Sequence, residues 1–364
     1  MAVYKIFPEK DTFISTEVPT GNAGKDEIVE LGGYIDISGV GETNRILVKY
    51  NTSDITTALA LIGTASYQAN LHTYLADASA LPSDTTVYVN ALAESWDNGT
   101  GKFGDTPINT TGVSWNYRLS GEAGAWTTSG YAAGTTGSYK SDKPGGGTWY
   151  IQSGSSQTYS VSSKTFDIDV PVTAAVAAIS SSTIVNNGFI LRLQPDLEFN
   201  TTASIRLRYF GADTNTIYPP SLDFKWDDST YNTGSLSVLN TSIVTIGIAN
   251  NRGTYSDVGK QRFRLTAKPK YPTRSFATTS VYLVNYALPS GSYWGLRDEN
   301  TQEMVVDYDT NYTKVSCDST GPYFDVYMDG LQPERYYRIL VKSTLDGSTT
   351  VIDNNNVFKV VRNG

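Results

Sequence analysis

The chain holds one histidine, His72, so every triad, zinc or proton-shuttle scheme that uses imidazole must run through that residue. It stands in Asn70-Leu71-His72-Thr73-Tyr74-Leu75, where alternation puts Leu71, Thr73 and Leu75 on one strand face and His72 on the other with Asn70 and Tyr74. No acid or nucleophile neighbours it in sequence, and it reads as a surface or interface histidine. Glycoside hydrolysis needs no histidine, only a carboxylic acid of raised pKa and a second carboxylate. Glu94, beside Trp96 and Asp97, is the one place that could begin such a pair, and nothing designates its partner. The single cysteine, Cys317, excludes an intrachain disulfide and a centre built from several thiolates. The expectation is a protein that is not an enzyme.

Binding chemistry has more to work with. Hard cations want several oxygen ligands, and β-sandwiches often seat Ca²⁺ near their terminal strands. Asp11 lies near the first strand while Asp227 and Asp228 follow a late one, so a sandwich that joins those ends could hold calcium between them. No EF-hand spacing supports this, and the competing reading is solvated turn acids. No other cofactor is indicated. Trp115, Trp126, Trp149 and Tyr150 lie in a tract dominated by Gly, Ser and Thr. Trp115 reads as core. Trp126, Trp149 and Tyr150 lack apolar company and are candidates for exposed contact, to the C–H face of a sugar or to a neighbouring protein. Trp294, in Pro289-Ser290-Gly291-Ser292-Tyr293-Trp294-Gly295, is a fourth candidate. Lys143-Pro144-Gly145-Gly146-Gly147-Thr148 is Gly-rich, but it lacks Walker A spacing and precedes no helix.

The elements that must position these residues are short and closely spaced. Strands are expected at 12–15, 27–31, 45–51, 67–75, 86–92, 166–170, 189–193, 205–209 and 221–226, with turn-rich sequence between them. Two short helices interrupt them, Asp54–Leu61 with Asp54 as N-cap and the Ala-rich Thr173–Ile179. From Asp97 to Ser160 apolar periodicity almost disappears, and the tract reads as a long loop excursion of the kind that makes contacts. After about residue 230 the pattern resets. Residues 231–268 read as a linking β-segment, and 269–364 as a second β-unit with strands at 281–287, 304–308, 323–328, 336–343 and 357–361. In Leu331-Gln332-Pro333-Glu334-Arg335-Tyr336-Tyr337, Leu331 is expected inside, with Tyr336 or Tyr337 making a tyrosine-corner bond as in fibronectin-III-like modules.

Among the 364 residues, Lys and Arg number 28 against 36 Asp and Glu, a net charge of −8. The densest basic stretch, Lys260 to Arg274, alternates Arg262, Arg264, Lys268 and Lys270 with apolar residues, which is a solvated strand face rather than a phosphate-binding patch. Nucleic acid is not an expected partner. No run approaches the ~20 apolar residues of a membrane span, and Met1-Ala2-Val3-Tyr4-Lys5 lacks the apolar core of a secretory signal. A Tyr-rich, polar and weakly charged β-protein of this kind is expected in a virion, assembled in a host cytoplasm.

Four groups of residues together resemble a known module. They are Lys10-Asp11-Thr12-Phe13-Ile14, Asn44-Arg45-Ile46-Leu47-Val48-Lys49-Tyr50, Glu94-Ser95-Trp96 with Gly112-Val113-Ser114-Trp115, and Asn187-Gly188-Phe189-Ile190-Leu191. In that order they resemble the DNRLRE-type β-sandwich, a jelly roll similar to carbohydrate-binding modules of cell-surface and virion proteins. The resemblance covers about two thirds of the chain. It implies an all-β protein with an N-terminal jelly-roll sandwich over 1–230, carrying the 97–160 excursion, and a smaller C-terminal sandwich of fibronectin-III or immunoglobulin type. Tyr293-Trp294-Gly295-Leu296-Arg297-Asp298 and Tyr323-Phe324-Asp325-Val326-Tyr327 also look like segments of tailed-phage virion proteins. The implied function is structural: docking on other virion proteins and on copies of itself through Tyr-rich faces, in a tail, neck, baseplate or capsid decoration. The alternative is a carbohydrate-binding adhesin for a host-surface glycan.

Overall fold

The computed structural model describes residues 2–79, 84–127, 134–137, 142–160, 166–199, 204–272 and 284–363. The protein is all-β, a jelly-roll sandwich followed by a smaller sandwich. The chain divides into two compact units. One comprises Ile6–Leu61 and Gln68–Asp223, the other Met1–Lys5, Ile62–Tyr67 and Phe224–Gly364.

The N-terminal unit is built on an eight-stranded sheet whose centre is the strand Gly41–Tyr50. That strand pairs antiparallel with Pro8–Ser15, with Ile28–Ile35 and with Phe189–Leu193, and the last pairs in turn with Asp84–Ala91. Nearly every residue of Gly41–Tyr50 is buried, on both faces of the sheet. On one face Ile46, Val48, Phe189, Leu191, Val87 and Val89 alternate inward, as a half of a sandwich should. On the other, Ile14, Leu47 and Ile190 pack against Leu92, Trp96, Val113, Trp115, Trp126 and Trp149. The excursion folds back over the sheet and gives it a second core.

The predicted helices form at Thr52–Ile62 and Thr173–Ser180. The first begins earlier than expected, because Asn51 Oδ1 accepts the Ser53 amide at 3.0 Å and caps it, leaving Asp54 in the first turn. A third, Pro195–Glu198, has a single turn, too short to leave a helical period in the sequence.

The C-terminal unit pairs Val244–Ile248, Lys260–Pro269, Gly321–Tyr327 and Ser316–Asp318 in one sheet. Thr254–Ser256, Ser348–Val361, Arg335–Leu345, Tyr293–Asp298 and Met304–Val306 form the other. The expected linking segment 231–268 is therefore corrected: its strands complete this sandwich, and Phe263 and Leu265 sit in its core. The sequence shows no linker composition there because there is no linker. Of the strand expected at 281–287, residues 281–283 lie outside the described residues and Ala287 makes only an isolated bridge to Val238. Leu331 is buried and Tyr337 Oη donates to Gln332 O at 2.9 Å, the tyrosine-corner bond. No helix among the described residues is long and apolar enough to cross a membrane.

Candidate functional site

Two anchors hold the excursion down. The first is Asn22, whose Nδ2 donates to Asn98 O at 2.8 Å and Val113 O at 2.9 Å, while its Oδ1 accepts the amides of Gly24 and Gly101. The backbone passes so close that a Cβ on Gly112, at φ +145°, would lie 2.5 Å from Asn22 Nδ2. The second is Arg45, wholly buried under the aromatic cover. Its Nε and Nη2 donate to the two Glu198 carboxylate oxygens at 2.7 and 2.8 Å, and Nη1 donates to Gly146 O at 2.5 Å. The guanidinium lies 4.8 Å from the Trp115 ring centre and 5.4 Å from that of Trp149. Gly146, at φ +81°, has room for no side chain, since a Cβ would come within 2.6 Å of the Trp115 ring. The Gly-rich run thus serves a guanidinium, not a phosphate.

A cleft of about 450 Å³ opens beside this pair, inside the usual range of small-molecule sites. Its floor is one row across three strands: Ser156 faces Tyr88, and Tyr88 faces Arg192. Asn90 and Trp149 form its walls, with Ile151 exposed at the rim. The Arg192 guanidinium lies over two rings, 4.6 Å from the centre of Trp149 and 4.9 Å from that of Tyr88. Among the described residues its buried Nε meets no hydrogen-bond partner, and burial pulls its pKa below the ordinary arginine value. Glu198, the nearest acid to act on it, is already engaged by Arg45. Asn90 Nδ2 donates to Tyr150 O at 3.1 Å, while its buried Oδ1 has no donor among the described residues.

The expected contact residues fall differently from the sequence reading. Trp126 and Trp149 are each only 3 % exposed, and Trp126 Nε1 donates to Ser114 O at 3.1 Å. They lack apolar neighbours in sequence because their apolar company is the far face of the sheet. Trp294 is 1 % exposed on the strand Tyr293–Asp298 and stacks on Phe324 with centres 4.9 Å apart. Trp115 is core, as expected. Tyr150 is half-buried and lends its carbonyl to Asn90. Arg192, Tyr88 and Asn90 were missed, because an arginine alternating with apolar residues on a strand resembles a solvated face. The available signal was Ile190, which shares that face and would not sit in water.

No protein-family model matches the chain, and no curated protein matches it either. The reading of the site rests on its own chemistry.

The remaining polar candidates hold the fold. His72 Nδ1 lies 3.8 Å from Asp169 Oδ1, and its ring packs on Tyr74. Asp169 faces His72 across the paired strands, where sequence proximity could not reveal it, and also accepts Asn70 Nδ2 at 2.8 Å. Glu94 accepts the amide and hydroxyl of Thr127 at 3.0 and 2.8 Å, and Asp97 accepts the Ser120 amide at 3.1 Å. Both carboxylates are engaged by residues of the excursion.

The three acids proposed for calcium belong to different units, Asp11 to the N-terminal one and Asp227 and Asp228 to the C-terminal one. Among the described residues no group of three or more His, Cys, Asp or Glu could hold a metal ion. Asp227 is taken by Ser229 and Lys314, and Asp228 lies 3.7 Å from Lys260. Asp11 is buried in the N-terminal unit, where its Oδ2 accepts the Ala212 amide at 2.9 Å. Burial pushes its carboxyl up to about 7. The Tyr50 hydroxyl is buried nearby with no hydrogen-bond partner among the described residues, its pKa raised by burial and by Asp223 and Asp11. Asp11 is a desolvated carboxyl that accepts one backbone amide.

Proposed function

We propose that this chain is a non-enzymatic structural protein of a bacteriophage virion, in a tail, neck or baseplate or as a capsid decoration, acting by multivalent protein–protein docking. The observation that carries this is the hairpin of Arg335–Leu345 and Ser348–Val361. Asp346 and Gly347 turn it at φ +49° and +73°, the pairing of positive angles that a tight two-residue hairpin needs. Beyond the turn Ser348, Thr349, Thr350 and Val351 are all exposed and uncharged. Among the described residues their outer edge has no ladder partner. Free proteins usually blunt such edges with charge or proline, so an open neutral edge suits a subunit that is covered on assembly. Many copies let weak edges act together. The docking role foreseen for Trp126, Trp149 and Trp294 is dropped, since all three are buried inside the chain.

Imaging of intact particles, with cross-linking, tests the reading. The expected result is a copy number matching particle symmetry, with more than ~1,000 Å² buried at each contact. A free monomer absent from particles would overturn it. The cleft at Tyr88, Trp149 and Arg192 favours a second reading, a carbohydrate-binding adhesin for a host-surface glycan.

A further inference from the structure

We infer that the cleft beside Arg192 binds an acidic sugar residue, with the sugar's carboxylate or sulfate on Arg192 and its hydroxyls on Asn90 and the serine rim. This rests on the second, glycan-binding reading and names the class of glycan. Arg192 Nε is itself buried, so its two Nη groups are the donors that a planar or tetrahedral oxyanion in the cleft would meet. Here, among the described residues, no hydrogen bond reaches the guanidinium, and Glu198, which acts on it through space, is bonded twice to Arg45. Among the described residues the cleft therefore holds a positive charge with no carboxylate bonded to it. A wholly neutral ligand would leave that charge desolvated and unpaired, which is costly.

The second demand comes from Asn90. Asn90 is 4 % exposed and its buried Oδ1 has no donor among the described residues, so an O–H or N–H of a ligand reaches it once the amide turns toward the cleft. Inorganic sulfate or a simple fatty acid would meet only half of this requirement. The hydroxyls of Ser155, Ser156 and Thr136 line the same cleft, and Ile151 offers an apolar rim for a ring's C–H face. Anion, hydroxyl donors and a small apolar face together describe an acidic monosaccharide unit.

The test is calorimetric titration of the full chain with a glucuronate-containing oligosaccharide, its neutral glucose counterpart and sodium sulfate. The glucuronate oligosaccharide is expected to bind at least about tenfold more tightly than the neutral one, weakening as salt rises. Arg192→Gln is expected to remove that preference without lowering the melting temperature. Should that variant misfold, Arg192→Lys keeps the charge but loses the flat two-pronged edge, and about a tenfold loss is expected from it. Equal binding of the neutral oligosaccharide would overturn the acidic assignment and leave glycan binding standing. Sulfate binding as tightly as glucuronate would overturn the sugar and leave a bare anion site. If no oligosaccharide binds, acidic or neutral, the glycan reading falls with it.

Discussion

Arg45 in the N-terminal sandwich is fully buried and reaches Glu198 through two nitrogens. Arg262 and Arg264 in the C-terminal sandwich make the same two-pronged bonds, to Asp325 at 2.8 and 3.0 Å and to Asp318 at 2.8 and 2.7 Å, from a face still open to water. The hydrogen bonds are alike in geometry and unlike in consequence. Water can replace a lost partner on the open face. Under the excursion nothing can, so the buried pair is obligatory even though its formation gains little over an apolar pair of the same shape.

The largest effect expected from this contrast is in Glu198→Ala. It leaves the Arg45 charge buried among Trp115, Trp149 and Phe199, and should cost about 3–5 kcal/mol by urea unfolding. Replacing both partners with apolar residues, Arg45→Met with Glu198→Leu, should restore most of the loss. A single-variant loss below about 1 kcal/mol would mean that water reaches Arg45 and that the two sandwiches do not differ as described.

Asp11 sharpens the comparison because it is a buried carboxyl with no ion pair among the described residues, Lys25 acting on it only through space. Its folded pKa, about 7, stands above the ordinary carboxylate value of 3.8. The folded state therefore holds a proton that the unfolded chain has released between pH 4 and 7, so stability falls across that window as pH rises. Asp11→Asn should be neutral near pH 4 and stabilising by up to roughly 4 kcal/mol at pH 8. Thermal melting at the two pH values measures it. If millimolar calcium stabilises the parent at pH 8 and the variant abolishes that, the carboxyl is a ligand after all.

The smallest effect belongs to the open face. Arg264 holds the Asp318 carboxyl down to about 2, but both side chains are partly exposed. Arg264→Ala should cost less than about 1 kcal/mol at neutral pH, and the loss should shrink further in high salt. The stability that this pair does contribute is present above pH 4 and disappears as pH falls through 2.

Strand periodicity was legible where buried residues alternate with more open ones. Ile205–Phe210, buried at every second residue, falls within one residue of its expected bounds, and Leu331 with Tyr337 forms the expected corner. The failures share one cause, burial of both faces by sequence far away. Trp126 and Trp149 looked solvent-facing because their contacts, Ile14, Leu47 and Ile190, are distant in the chain. Trp294 looked like loop because Pro289, Ser290 and Gly291 precede it, yet its strand is inserted beside Arg335–Leu345. The cleft was illegible for the same reason: Tyr88, Trp149 and Arg192 converge only after the excursion has folded back.

The span between Arg45 and Glu198 also has a meaning in time. They are 153 residues apart, so at a synthesis rate of roughly 5–20 residues per second the arginine waits on the order of ten to thirty seconds for its carboxylate. Throughout that interval the strand that bears it cannot be covered without stranding a charge. The excursion, though made first, is best closed last, and the final carboxylate acts as the latch that times it.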